Sequence, residues 1–198
     1  MRHLQRHALA LLAERLNHQG AAAQPPRRPG TRLSGPFARP SASTPSRRDR
    51  AECFDVAFGG AERFAQIGGI ILTQGGKFGG WALYMDGGKP AYTYNWFGLE
   101  KYTIASDEAL PAGSAEVKVE FAYDGGGPGK GGLATLYVNG EKVSEGRVER
   151  TTPAVFSGDE TADVGKDDAT QVVAAFENVR DSHFTGSVKS VTVDTAMP

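Results

Sequence analysis

From about residue 52 onward apolar and polar residues change places at every second position, and glycines cut the pattern into short lengths. Val117, Val119, Phe121 and Tyr123 alternate with Glu116, Lys118, Glu120 and Ala122. A period of two puts successive side chains on opposite faces, so this is the pattern of a strand with one face buried. Asn139-Gly140 follows the run Leu133–Val138 and is a strong two-residue hairpin signal, because both positions of that turn need positive φ. Asp86-Gly87-Gly88-Lys89 marks a second hairpin between Gly80–Met85 and Pro90–Phe97. Phe54–Phe58, Ile67–Gln74, Glu100–Ala105, Lys142–Arg150 and Phe184–Asp194 complete the candidate strands. No stretch beyond residue 60 keeps a helical period over ten residues. Short strands at close spacing with turn signals between them predict an all-β fold, an antiparallel sandwich or barrel.

The first fifty residues are of another kind. They hold ten Arg and no Lys against Glu14 and Asp49, a net of +8, and the remaining twelve bases against twenty-one acids leave −9. The formal net charge of −1 is therefore a cancellation between two unlike segments. Leu4, Ala8, Leu11, Leu12 and Leu16 recur at helical spacing, so residues 4–18 are expected to form one short helix. The Pro-, Arg-, Ser- and Gly-rich tract after Gly20 has little to bury and is expected to stay disordered. An organelle-targeting leader, a nucleic-acid arm and translated sequence never selected to fold all share this composition, and the last is the reading taken. Neither nucleic acid nor membrane is expected as a partner. No apolar run approaches the roughly 20 residues that span a bilayer, and Glu14 and Arg15 cut short the apolar stretch a signal peptide needs. The single cysteine, Cys53, excludes an internal disulfide framework.

The richest glycine segment, FAYDGGGPGKGGLATLYVNG at residues 121–140, invites a phosphate-binding reading. It fails: a G-x-x-x-x-G-K-[ST] loop would need glycine at Asp124 and a hydroxyl at Gly131. The third glycine of G-x-G-x-x-G would fall on Lys130, and both motifs want a strand followed by a helix. The segment reads instead as a wide joint between two strands.

That segment also carries a resemblance. GGKFGGWALYMDGGKPAYTYNWFGLEKYTIAS, then LPAGSAEVKVEFAYDGGGPGKGGLATLYVNGEKVSEGRVERTTPAVFSGDETADVGKD, then DSHFTGSVKSVTVD, resembles the C-terminal region of long bacterial arylsulfatases over about residues 67–198. The resemblance implies a laminin-G/concanavalin-like jelly-roll sandwich over residues 52–198, accessory to an α/β sulfatase-type catalytic domain that is its partner. Residues 1–51 would then be an unrelated leader, and the chain a truncated or separately encoded piece. Sulfatases make their formylglycine nucleophile in a C/S-x-P-x-R motif. Cys53-Phe54-Asp55-Val56-Ala57 does not fit it, and Ser43-Thr44-Pro45-Ser46-Arg47 fits only the bare pattern. That motif, ending at Arg47, is followed by RDRAECF rather than an apolar helix, with no room for the metal-binding aspartates or the catalytic Lys and His. No catalytic residue is therefore assigned.

Three weaker constellations remain. Asp159, Glu160, Asp163, Asp167 and Asp168 crowd one loop, as in calcium-binding loops of laminin-G-like sandwiches, with Asp159 and Asp163 the candidate ligands for Ca. The competing reading is a solvated acidic loop in which Asp159 and Asp163 form turns or caps. Trp81 and Trp96, with Tyr84, Tyr92 and Tyr94, offer rings for stacking on a sugar, which would make a carbohydrate-binding module for a sulfated glycan. Their alternation along one strand suits a sandwich core equally well. His183 has no acid–base partner beyond Asp181, two residues earlier, and reads as a loop residue.

Overall fold

A computed structural model describes residues 51–59, 64–153, 156, 162–168, 170–176 and 182–194. The candidate helix at 4–18, Ser43 and Asp159 lie outside the described residues. Ten strands follow one another: β1 Ala51–Phe58, β2 Gly69–Gly76, β3 Gly79–Asp86, β4 Lys89–Trp96, β5 Glu100–Ala105, β6 Glu116–Tyr123, β7 Gly132–Val138, β8 Glu141–Val148, β9 Ala162–Val164 and β10 Val188–Asp194. They form two five-stranded antiparallel sheets, ordered β10-β1-β6-β7-β8 and β5-β4-β3-β2-β9. The chain is an antiparallel β-sandwich, as the alternation and turn signals predict.

The first sheet is held to the second by its inward positions. Phe54, Val56 and Phe58 of β1 and Val117, Val119 and Phe121 of β6 are buried, against Leu72, Trp81, Leu83 and Met85 of the facing sheet. Each such side chain contributes roughly 1.5–3 kcal/mol by leaving water. The intervening Cys53, Asp55, Lys118 and Glu120 point outward and are half-buried. The two edges β5 and β8 are drawn together at one corner. A Cβ added to Gly146 would lie 2.6 Å from Ile104 Cγ1, so only glycine lets the sheets close there.

The second sheet is covered on both faces. All eight residues of β2 are buried. Val172, Val173 and Phe176, from the segment before residue 177, pack on Ile70, Ala82, Tyr84 and Ala91 of its outer face. Asp167 fixes the start of this strap: its carboxylate accepts a hydrogen bond from Val172 N at 3.0 Å, and its own N–H donates to Ser182 Oγ at 3.0 Å.

Both predicted hairpins form. Asn139 and Gly140 take φ of 51° and 83°, the positive pair their turn requires. Several elements differ from the sequence reading: β1 begins at Ala51 rather than Phe54, and β8 ends at Val148 rather than Arg150. β10 begins at Val188 rather than Phe184, because Phe184 N and Thr185 N donate to Gly165 O and Gly68 O instead of joining the ladder. β2 runs Gly69–Gly76, starting two residues later than predicted, since Gly68 N is spent on Thr185 Oγ1. The acidic loop contains an unpredicted edge strand, β9, whose Asp163 pairs with Thr73.

Candidate functional site

One end of the sandwich gathers the β2–β3 turn, the β4–β5 turn, the glycine joint 124–131 and the residues after β8. Asn95, buried at the end of β4, braces the two turns. Its amide donates to Gly76 O and Lys77 O at 3.0 Å each, and its Oδ1 accepts from Gly98 N at 2.9 Å. Lys77 N in turn donates to Thr170 Oγ1 at 2.9 Å. These bonds hold three apolar side chains out in solvent: Phe78 is 64 % exposed, Phe97 40 % and Leu99 76 %. Phe97 has φ of 52°, unusual for an aromatic residue, which turns the chain sharply at the tip. Arg150 flanks the tips, bonded to Glu100 at 3.1 Å and lying 4.5 Å from the centroid of the Trp96 ring.

Behind the tips a cavity of about 90 Å³ opens between the sheets. Phe54, Phe121 and Tyr123 wall it from the first sheet, and Trp81, Tyr92 and Tyr94 from the second. Phe156 closes it over Tyr94, ring centroids 6.2 Å apart. Phe54 and Trp81 lie closer, at 4.3 Å. The polar lining is Glu52, Gln74 and Thr151. Glu52 occupies the inward parity of β1, in line with Phe54, Val56 and Phe58.

Most polar groups on this wall are already committed. Gln74 Oε1 accepts from Trp81 Nε1 at 3.2 Å, and Tyr94 Oη accepts from Thr152 N at 2.8 Å. Thr151 Oγ1 donates to Lys130 O at 2.7 Å; Tyr123 Oη donates to Gly127 O and accepts from Lys130 N at 2.9 Å. The glycine joint is thereby pinned to the cavity rim. Burial pushes the Tyr92 phenol well above its ordinary pKa, with the charges of Tyr94 and Glu52 adding to the effect. Burial also raises Tyr94, opposed by its bonds from Thr152.

Trp81 is 4 % exposed and stands in the core on the cavity wall, leaving no ring face for a polysaccharide outside. Trp96 is half-buried beneath Arg150. Asp163 Oδ2 accepts from Asp168 N at 3.4 Å, and Asp168 pairs with Lys166. Among the described residues no group of three or more His, Cys, Asp or Glu is placed to share a metal ion. His183 is exposed on a bend, far in sequence from the loops of the cavity. On the outer face of the first sheet, burial raises the Cys53 thiol and the Asp55 carboxyl, the latter opposed by Lys118. Sequence reasoning passed over Glu52 and the three exposed tip residues. The signals were present: an acid at the inward parity of an apolar strand, and Phe-Gly and Phe-Gly-Leu at turn positions where polar residues are usual.

No protein-family model matches the chain, and no curated protein matches it. Among solved structures it is similar to domains LG4–5 of the mouse laminin α1 chain, at 12 % identity and a TM-score of 0.48, over 74 % of this chain. It spans only 36 % of the laminin chain. A heptameric SAP-like pentraxin from Limulus polyphemus is similar at 15 % identity and a TM-score of 0.42, with 75 % of this chain and 66 % of the pentraxin chain covered.

Proposed function

We infer that residues 52–198 are a non-catalytic accessory β-sandwich of an arylsulfatase-like protein, which docks through its tip end on a sulfatase-type catalytic domain. The observation that carries this reading is the trio Phe78, Phe97 and Leu99, exposed at one end of the sandwich on a pair of turns braced by Asn95. Exposed apolar side chains on braced turns suit a protein partner, because association removes them from water at little ordering cost to the turns. The resemblance over residues 67–198 supplies the partner's identity.

The test is mixing the full chain with an arylsulfatase catalytic domain deprived of its own C-terminal sandwich, read by size-exclusion chromatography with light scattering. A 1:1 complex that Phe78→Ser/Leu99→Ser abolishes supports the reading. Absence of a complex with the unaltered chain sinks it, as does a complex indifferent to the double substitution. The chain alone is expected to leave aryl sulfates untouched, with Ser43 unmodified by mass spectrometry.

A further inference from the structure

The cavity behind the tips is lined by two donors that the protein leaves unpaired. Tyr92 is 2 % exposed, and among the described residues its hydroxyl has no hydrogen-bond partner. Gln74 is 7 % exposed; its Oε1 accepts from Trp81 Nε1, and its Nε2 has no partner among the described residues. A buried donor without an acceptor is destabilising. A guest that brings acceptors to Tyr92 Oη and Gln74 Nε2 is therefore favoured. Around those two groups the walls are ring faces, with Tyr92 against Trp81 at 6.2 Å and 28° between the planes. The rest of the guest should be hydrocarbon that packs on rings.

Size narrows the guest. A cavity of about 150 Å³ admits benzene. One of about 90 Å³ falls short of a whole aryl or sugar ring and takes three or four carbon-sized groups. A prolyl ring offers three methylenes, thin enough to lie between ring faces. An extended peptide around it bonds none of its own carbonyls, and the proline has no N–H. Carbonyl oxygens are thus in surplus where Tyr92 and Gln74 have protons to place. Aromatic-lined sites that read proline-rich segments divide the task in the same way.

The chain itself supplies such a segment. Six of its eleven prolines precede residue 50, among them Pro36, Pro40 and Pro45 in PFARPSASTP. Those first fifty residues lead into β1 at Ala51, and the next residue, Glu52, lines the cavity. Pro45 stands seven residues before Glu52, up to roughly 23–25 Å of chain, enough to turn back across a mouth between sheets about 10 Å apart. Opposite charge favours the contact, +8 before residue 51 and −9 after it. One prolyl contact is weak between separate molecules, but tethering raises the local concentration to about millimolar.

We propose that the cavity lined by Trp81, Tyr92, Tyr94, Phe121 and Gln74 is a proline pocket whose occupant is segment 36–45 of the same chain. Tyr92 Oη donates to a backbone carbonyl of that segment, and the aromatic side chains hold a prolyl ring. The site is independent of docking at the tips, since none of the three exposed residues lines it.

The experiment follows the two tryptophan indole N–H resonances of the full chain by NMR, assigned with Trp96→Phe. Pro36→Ala/Pro40→Ala/Pro45→Ala is expected to move the Trp81 resonance and leave that of Trp96 still. Titrating the synthetic peptide PFARPSASTP into this triple variant is expected to return Trp81 to its original position, saturably and at about millimolar peptide. The same peptide with its three prolines replaced by alanine is expected to have no such effect. Tyr92→Phe added to the triple variant is expected to weaken the peptide about five-fold, the scale of one hydrogen bond, while the melting temperature stays or rises. A Trp81 resonance unmoved by the triple substitution would overturn the proposal, leaving water or a partner's segment as the occupant. Equal binding of the alanine peptide, or undiminished affinity with Tyr92→Phe, would overturn it as well.

Discussion

The two sheets are built alike in strand number and pairing, yet their outer faces live in different media. On the first sheet Cys53, Asp55, Lys118 and Glu120 face outward half in water, with Lys118 bonded to Glu120 at 2.7 Å and to the Tyr137 ring at 4.7 Å. On the second, Ala82, Tyr84 and Ala91 face outward beneath Val172, Val173 and Phe176. Polar side chains under that cover are satisfied among themselves. Tyr84 Oη bonds Thr93 Oγ1 at 3.2 Å, and Thr93 bonds Thr103 at 2.8 Å. One sheet spends its outer face on solvation, while the other turns it into a second small core. A strand's sequence thus reports its surroundings on both sides rather than its membership of a sheet.

Breaking the core common to both sheets should do the most damage. Phe54→Ala is expected to cost about 3–5 kcal/mol, read as a drop in the midpoint of urea unfolding. A loss below 1 kcal/mol would mean the sheets are not joined through this ring. Next comes the strap. Val172→Ala removes two buried methyl equivalents and should cost about 1.6 kcal/mol. Val143→Ala, half-exposed on β8 of the first sheet, should stay within about 0.5 kcal/mol. Equal effects at the two valines would erase the contrast between the outer faces.

A smaller effect with a pH signature is expected at Asp55. Burial raises its folded-state pKa above the unfolded value of 3.8. The folded state therefore holds this proton more tightly, so ionised Asp55 disfavours folding at neutral pH, and the penalty fades as pH falls through the folded pKa. Asp55→Asn should raise the melting temperature at pH 7, with the gain shrinking towards pH 4. A gain that grows on acidification would contradict the assignment. Leu99→Ser should change stability least, within about 0.5 kcal/mol in differential scanning calorimetry. A large loss there would mean the tip is packed rather than presented.

The sandwich was legible wherever one face is wet and the other dry. β6 announces itself because Val117, Val119 and Phe121 alternate with charged residues, and Asn139-Gly140 fixes the next hairpin by backbone chemistry alone. Legibility fell where tertiary contacts replaced local pattern. β9 is three residues of an acidic loop that becomes a strand only because β2 offers an unpaired edge. The strap has no periodicity to read, since the adjacent Val172 and Val173 are both buried. The cavity depends on which way Glu52 faces, and that follows from the parity of Phe54 once the sandwich is granted. The tip residues carry apolar side chains where turns normally carry polar ones, a departure that only exposure turns into a functional sign.

The position of β1 in its sheet has a consequence in time. It lies between β6 and β10, so both of its hydrogen-bonding edges belong to segments made later. β10 emerges some 130 residues after β1, roughly 7–26 s of synthesis at about 5–20 residues per second. Throughout that interval β1 has one hydrogen-bonding edge without its final partner, while the β2–β5 meander can assemble as it appears. The strand next to the edge of the first sheet is therefore the one most in need of shelter on the ribosome. A nascent chain halted before residue 188 would present a holdase with that strand above any other.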